Sequence, residues 1–142
     1  SAGGVGLLVR LLDVSVREEV RAHCAAAAAE LANGNRQIQD AIAALGGIPC
    51  LVTLLREATS EKGVEAASAA LRSLAAQHPR NQITIAALGG ILPLVSRLGL
   101  GNATIQAEAA QALTNLVEGN TDNEATVATL LVKLLRGAKT PE

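Results

Sequence analysis

Apolar residues recur in blocks along the chain, and each block has the spacing of one face of a helix. The block Leu-Val-x-Leu-Leu occurs at residues 8–12 and 51–55, and related blocks begin at Leu94 and Leu131. Alanine-rich blocks lie between them, at residues 66–74 and 109–116, with a weaker copy at residues 25–31. Because apolar positions in these blocks repeat at intervals of three and four, the blocks predict amphipathic helices.

Gly-Gly pairs divide the chain at a regular interval. They begin at positions 3, 46 and 89, a separation of 43 residues in both cases. Glycine adopts positive φ without steric cost, so each pair allows a sharp turn. Each unit is therefore predicted to contain a short helix, a Gly-Gly corner, a second helix, a polar link and a long third helix.

Other residues predict where the helices begin and end. Asn35 and Asn81 are predicted N-caps of the short first helices. Pro79 cannot continue the helix that precedes it. Three glycines are predicted to mark breaks between helices: Gly63, Gly101 and Gly119.

The repeats predict one solenoid over residues 1–142, made of a partial repeat (1–34), full repeats (35–76 and 77–119) and a truncated repeat (120–142). The last copy has no Gly-Gly pair, so a continuous helix is predicted from about Asn123 to Arg136. Solenoids need polar terminal caps, and none covers the apolar residues at either end. The chain is therefore predicted to belong to a longer solenoid or to self-associate through its ends. The apolar end residues are Val5, Leu7, Leu8, Leu11, Val127, Leu130, Leu131 and Leu134.

Composition supports an all-α fold and excludes several functions. Hydrophobic residues make up 49% of the chain, none of them Phe, Trp, Tyr or Met, and small aliphatic side chains suit closely packed helices. A net charge of −1 provides no clustered positive field for nucleic acid. No apolar run is long enough for a membrane span. Cys24 and Cys50 are predicted to be small core residues. Without a targeting pattern, we expect a cytoplasmic protein, with the nucleus as the alternative.

The repeat pattern resembles the armadillo family. The resemblance is carried by Gly-Gly-Ile-Pro-Cys-Leu-Val-Thr-Leu-Leu at residues 46–55 and Ala-Ala-Gln-Ala-Leu-Thr-Asn-Leu at residues 109–116. HEAT repeats have a similar length but usually two helices and no Gly-Gly corner, which makes armadillo the better match. The resemblance implies a right-handed α-solenoid of stacked three-helix repeats. The irregular copies favour a natural sequence over a consensus-designed array.

The resemblance also implies a location for binding. Armadillo third helices line a concave groove, where an Asn on each helix holds an extended peptide through its amide. That position holds Glu30, Ser73 and Asn115, of which only Asn115 matches the family. Import-receptor-like members place a Trp four residues earlier, but this chain has no Trp, so that binding mode is not expected. The predicted partner-binding residues are Glu30, Ser73, Glu108, Gln111 and Asn115, which form a mildly acidic surface suited to a partner with positive charge.

The sequence lacks the signatures of common catalytic and metal sites. It contains no Cys-x-x-Cys, His-x-x-x-His or Gly-x-Ser-x-Gly pattern, and Gly3-Gly4-Val5-Gly6 lacks the Lys-Ser/Thr end of a phosphate loop. We therefore expect no enzyme activity and no cofactor or metal, and predict a protein–protein interaction scaffold that binds a peptide or helix in its groove. Two alternatives stay open: a structural segment of a larger assembly that acts through its ends, such as a ciliary or cytoskeletal scaffold, and a targeting arm attached to a catalytic domain.

Overall fold

The computed structural model describes residues 2–139, and every regular element among them is a helix. Residue 1 and residues 140–142, at the extremes of the first and last predicted units, lie outside the described residues. The helices in chain order are α1 (Ala2–Arg10), α2 (Glu18–Ala32), α3 (Arg36–Ala44), α4 (Gly47–Glu57), α5 (Glu61–Ala75), α6 (Pro79–Ala87), α7 (Ile91–Leu100), α8 (Ala103–Val117) and α9 (Thr121–Lys139).

The helices follow the predicted order of short first, second and long third helix. Helices α3, α4 and α5 form one such set, and α6, α7 and α8 form the next. The first and second helices meet at 82° in one set and 79° in the other. Both bends contain a glycine in the left-handed region, with φ of 85° at Gly46 and 82° at Gly89. The corner function predicted for the glycine pairs is confirmed at these two pairs and is wrong at the first, because Gly3 and Gly4 lie inside α1.

Two predictions about helix ends are wrong. Asn81 does not cap α6, because His78 is the N-cap and its Nδ1 accepts a hydrogen bond from the Asn81 backbone N–H at 3.1 Å. Pro79 is the first residue of α6, a position where proline is favoured. Gly63 does not end a helix, since it lies in the first turn of α5 behind the N-cap Ser60. By contrast, Asn35 caps α3, as predicted.

The last helix and the cysteines also test the sequence predictions. Helix α9 is continuous over Thr121–Lys139, so the prediction of an unbroken helix from about 123 to 136 is confirmed. Cys24 and Cys50 are only half-buried and pack at the edge of the core, so their prediction as core residues is partly wrong. No single described helix is both long enough and apolar enough to cross a membrane.

The core is a stack of third helices held together by small residues. Helix α2 packs against α5, and α5 packs against α8. Ala25, Ala67 and Ala109 are completely buried at these contacts, which lets the helix backbones approach closely. Leu71 and Leu74 of α5 are also completely buried, and each such leucine contributes about 1.5–3 kcal/mol of hydrophobic stabilisation.

Buried amide side chains join the first helices to the ends of the third helices. Asn81 Nδ2 donates to the Leu74 carbonyl at 2.9 Å, and Asn123 Nδ2 donates to the Leu116 carbonyl at 2.9 Å, in the equivalent position of the next unit. The last carbonyls of a helix lack partners within that helix. These asparagines therefore satisfy buried acceptors and fix how each unit is placed on the one before it.

Candidate functional site

The third helices α2, α5 and α8 present side chains to one common surface, which we call the groove. Between α2 and α5 the groove deepens into a depression of about 260 Å³ that extends to α8. Its floor contains the small residues Ala26, Ala66 and Ala69, and its rim carries the carboxylates of Glu30, Glu65 and Glu108. His23 and Lys62 complete this part of the rim. The groove therefore combines a shallow apolar floor with an acidic border.

The carboxylates of the groove differ in their partners. Arg72 Nε lies 3.1 Å from Glu108 Oε1 in an ion pair that joins α5 to α8. The Nε–H group is not directed at the carboxylate, so the contact is an ion pair without a hydrogen bond from Nε. Glu30 is exposed and Glu65 half-exposed, and within residues 2–139 neither has a hydrogen bond or ion pair. Two carboxylates of the groove are therefore free to pair with a basic ligand.

Ser73 does not lie on the groove surface as predicted. Ser73 is only 2% exposed, and its hydroxyl donates a hydrogen bond to the Ala29 carbonyl of α2 at 2.8 Å. Asn115 occupies the equivalent position on α8, and its Nδ2 donates to the Arg72 carbonyl of α5 at 2.8 Å. Both side chains therefore connect one third helix to the previous one, and burial makes the Ser73 hydroxyl inaccessible to a partner.

The other predicted groove residues remain accessible. Asn115 is half-buried, and its Oδ1 lies 3.4 Å from the exposed Gln111 amide nitrogen. An Asn amide nitrogen carries two hydrogens, so Asn115 keeps one donor beyond its bond to Arg72. The sequence did not point to Arg72 as a groove residue, because its pairing with Glu108 depends on the lateral position of two helices and leaves no pattern along the chain.

Next to this depression, a second one of about 380 Å³ is built around Glu18. The Glu18 carboxylate accepts hydrogen bonds from the backbone N–H groups of Thr59 and Ser60, at 3.0–3.1 Å, and from both hydroxyls. These bonds lower the pKa of Glu18 to about 2, the Ser60 hydroxyl being the largest cause. A Cβ on Gly63 would lie 2.9 Å from Glu18 Oε2, so the glycine leaves room for this clamp between the first two units.

A larger depression, of about 590 Å³, lies on the first helices and is lined by Arg36, Asp40, His78 and Arg80 among others. Its acid is already paired, since Asp40 Oδ1 lies 2.6 Å from His78 Nε2 and 3.5 Å from Arg36 Nε. The hydrogen bond with His78 is the largest cause of the lowered pKa of Asp40, and the charges of the surrounding basic groups lower it less. His78 is buried, so this contact holds α3 against α6, and we assign it to structure rather than to ligand binding.

Comparison with known proteins identifies the fold. The family described as the armadillo/beta-catenin-like repeat matches residues 35–76. A designed armadillo repeat protein solved in complex with the peptide (KR)4 superposes with a TM-score of 0.81 at 27% identity, over 90% of this chain and 53% of that one.

The chain is an armadillo-repeat solenoid.

Two further solved structures have the same fold. Computationally designed armadillo repeat proteins for modular peptide recognition match at 30% identity and a TM-score of 0.81, over 90% of this chain and 53% of theirs. An engineered protein from a structural genomics consortium matches at 33% identity and a TM-score of 0.84, over 98% of this chain and 34% of its own. This chain thus spans about a third to a half of the length of the matched proteins. No curated protein matches the sequence.

Proposed function

We propose that the solenoid is a non-catalytic binding scaffold that takes a lysine- or arginine-rich peptide segment along the groove. The observation that carries this proposal is the pair of unpartnered carboxylates, Glu30 and Glu65, above a floor of alanines. A designed armadillo protein of the same fold was solved with the basic peptide (KR)4, which supports a ligand of this chemistry.

The groove suits the two chemical parts of a basic side chain. The alanine floor can pack against the methylene stem, while the ammonium or guanidinium group reaches a carboxylate on the rim. With no Trp in the chain, no indole face contributes a cation–π contact. Exposed ion pairs contribute about 0.2–1 kcal/mol each, so affinity depends on several contacts and falls as salt screens them.

Asn115 and Gln111 have a different role in this proposal. Their amides lie on α8, beyond the depression, where a peptide that runs along the groove would pass its main chain. Amides offer both donors and acceptors, so they bind a peptide backbone without selecting its side chains. Ser73 takes no part, because its hydroxyl is buried and engaged by Ala29.

The proposal is tested with (KR)4 as the probe, titrated into the chain at low and at physiological ionic strength. We expect the double variant Glu30→Gln/Glu65→Gln to bind about tenfold more weakly, since two exposed ion pairs contribute on the order of 1.4 kcal/mol together. The matched control is Glu57→Gln/Glu124→Gln, which removes two exposed carboxylates from outside the groove.

The control should retain the wild-type affinity, and an acidic peptide of equal length should not bind. Equal losses in both double variants would show that net charge alone attracts the peptide. Unchanged binding in the groove variant would place the ligand elsewhere.

A further inference from the structure

A depression of about 320 Å³ lies between the second helices α4 and α7, and none of its lining residues belongs to the groove. Its apolar wall contains Leu92, Pro93 and Leu100 of α7. Leu92 is 57% exposed and Leu100 is 76% exposed, the highest value for a large hydrophobic residue in the described part of the chain. The two leucines lie about two helical turns apart on one face of α7. The depression therefore offers an apolar contact surface for a side chain of a ligand.

The charged residues that line this depression are two arginines. Arg56, near the end of α4, donates from Nη2 to the Leu88 carbonyl at 3.2 Å, which holds its guanidinium group at the corner between α6 and α7. The Arg97 side chain has no hydrogen bond or ion pair within residues 2–139. Glu61 borders an adjoining depression that Arg97 also lines, but it forms no ion pair with Arg97. Neither arginine is neutralised by a carboxylate, so the depression has a positive potential.

The preceding unit has the opposite charge at the same positions. Glu57 of α4 occupies the position of Leu100, and Asp13 between α1 and α2 occupies the position of Arg56, each 43 residues earlier. The stacking of the units therefore does not require a leucine or an arginine at these places. The combination of apolar and basic residues belongs to the α4–α7 depression and is not a repeated feature of the solenoid.

The two leucines are exposed because of their positions within the unit. Pro49 and Glu57, the α4 equivalents of Leu92 and Leu100, are also exposed, although α6 of the following unit packs beside α4. A unit stacked after α7 in the same way would therefore leave Leu92 and Leu100 exposed as well.

We propose that this depression binds an acidic peptide that carries large apolar side chains. A leucine-like side chain packs against Leu92, Pro93 and Leu100, while carboxylates on either side of it pair with Arg56 and Arg97. Charge complementarity selects this occupant, because both lining charges are positive and no acidic residue lines the depression. A guanidinium group can bind a carboxylate through two parallel hydrogen bonds, which an uncharged ligand cannot accept in the same way. The site and the groove select opposite charges, so this proposal does not depend on the proposed function.

The first test uses fluorescence anisotropy of the labelled peptide (ELLD)3 titrated with the full chain. Two matched peptides separate the contributions, since (EAAD)3 lacks the leucines and (QLLN)3 lacks the charges. We expect (ELLD)3 to bind about tenfold more tightly than either of them. An acidic peptide without apolar side chains, such as the acidic control for (KR)4, is not expected to bind in the depression.

Arginine variants test whether the charges act locally. Arg56→Gln/Arg97→Gln should bind (ELLD)3 about tenfold more weakly, because two exposed ion pairs are lost. The matched control is Arg17→Gln/Arg80→Gln, which removes two exposed arginines from outside the depression and should bind like the wild type. Equal losses in the two variants would overturn the proposal, because net charge alone would then attract the peptide.

A leucine variant tests the apolar wall. Leu100→Gln should also weaken binding of (ELLD)3, whereas Leu45→Gln, at a leucine that is 50% exposed at the C-cap of α3, should not. The groove variant Glu30→Gln/Glu65→Gln should bind (ELLD)3 like the wild type, which keeps the failure of one site distinct from the failure of the other. Circular dichroism checks that each variant is folded.

Three other results would overturn the proposal. The first is no binding of (ELLD)3 by the wild type, and the second is binding of (QLLN)3 or (EAAD)3 as tight as that of (ELLD)3. The third is self-association of the wild type, measured by sedimentation equilibrium, that Leu100→Gln abolishes and Leu45→Gln does not, since the depression would then bind a second copy of the chain.

Discussion

The Glu18 clamp makes a prediction about how stability depends on pH. Glu18 lies in the first turn of α2, and its carboxylate accepts hydrogen bonds from Thr59 and Ser60 at the start of α5. We expect Glu18→Gln to lower the free energy of unfolding at pH 7, because the amide loses the charge that strengthens these bonds and presents its own N–H groups to donors.

The size of the effect is set by the pKa. The clamp lowers the pKa of Glu18 from 4.5 to about 2, and one pKa unit corresponds to about 1.4 kcal/mol. This gives an upper limit of about 3.5 kcal/mol, which solvent screening of a surface carboxylate reduces to about 1 kcal/mol. Because the folded-state pKa is below the unfolded value, this stabilisation is complete above about pH 4.5 and is lost as the pH falls toward about 2.

The assay is urea unfolding of wild type and Glu18→Gln at a series of pH values from 7 down to 3. The difference between the two proteins should be about 1 kcal/mol at pH 7 and should shrink below pH 4.5. Glu19→Gln is the control, because Glu19 is an exposed neighbour in the same helical turn and has no hydrogen bond in the described structure. It reports the helix-dipole contribution alone, about 0.3–1 kcal/mol at most.

Two results would refute this role of Glu18. The first is an equal loss of stability in Glu18→Gln and Glu19→Gln, which would leave only the helix dipole as the cause. The second is a difference between wild type and Glu18→Gln that stays constant or grows on acidification, since the clamp would then not involve the ionised carboxylate.

Three further substitutions test the packing of the stack. Ser68→Ala should stabilise the chain by about 1 kcal/mol in urea unfolding, because the buried hydroxyl has no hydrogen-bond partner and an unsatisfied polar group costs about 1–3 kcal/mol. A loss of stability in this variant would mean that the hydroxyl does form a hydrogen bond. Gly63→Ala should not show the gain in stability of about 1 kcal/mol that this substitution usually gives in a helix. It should also abolish the pH dependence of stability assigned to Glu18, because the new Cβ would displace the Glu18 carboxylate. A stabilised variant with unchanged pH dependence would contradict this prediction. Asn81→Ala should cost about 1–3 kcal/mol by leaving the buried Leu74 carbonyl without its donor, whereas the exposed Asn33→Ala should have little effect.

The sequence predicted the helices well because their determinants are local. Apolar spacing identified the faces of α4, α5, α7 and α8, and the Gly-Gly pairs identified the corners, where Gly46 and Gly89 adopt positive φ. The absence of a Gly-Gly pair was enough to predict the continuous α9. Each of these features depends on residues within one or two turns of the position concerned.

The side-chain contacts between units could not be predicted in the same way. Asn81 has the sequence context of an N-cap, but the His78 side chain takes that role and releases Asn81 to bind Leu74. Gly63 has the composition of a break, but it makes room for a carboxylate that is 45 positions earlier in the chain. Ser73 has the register of a groove residue, yet the closeness of α2 turns its hydroxyl inward to Ala29. In each case the deciding partner lies on another helix.

The proposed ligand site lies on the face shared by the third helices α2, α5 and α8. The most direct test is amide chemical-shift mapping by NMR of the labelled chain titrated with (KR)4. We expect shifts concentrated at Ala26, Glu30, Glu65 and Ala69, extending to Gln111. Shifts confined to the depression on the first helices, around Arg36 and Arg80, would contradict the claim.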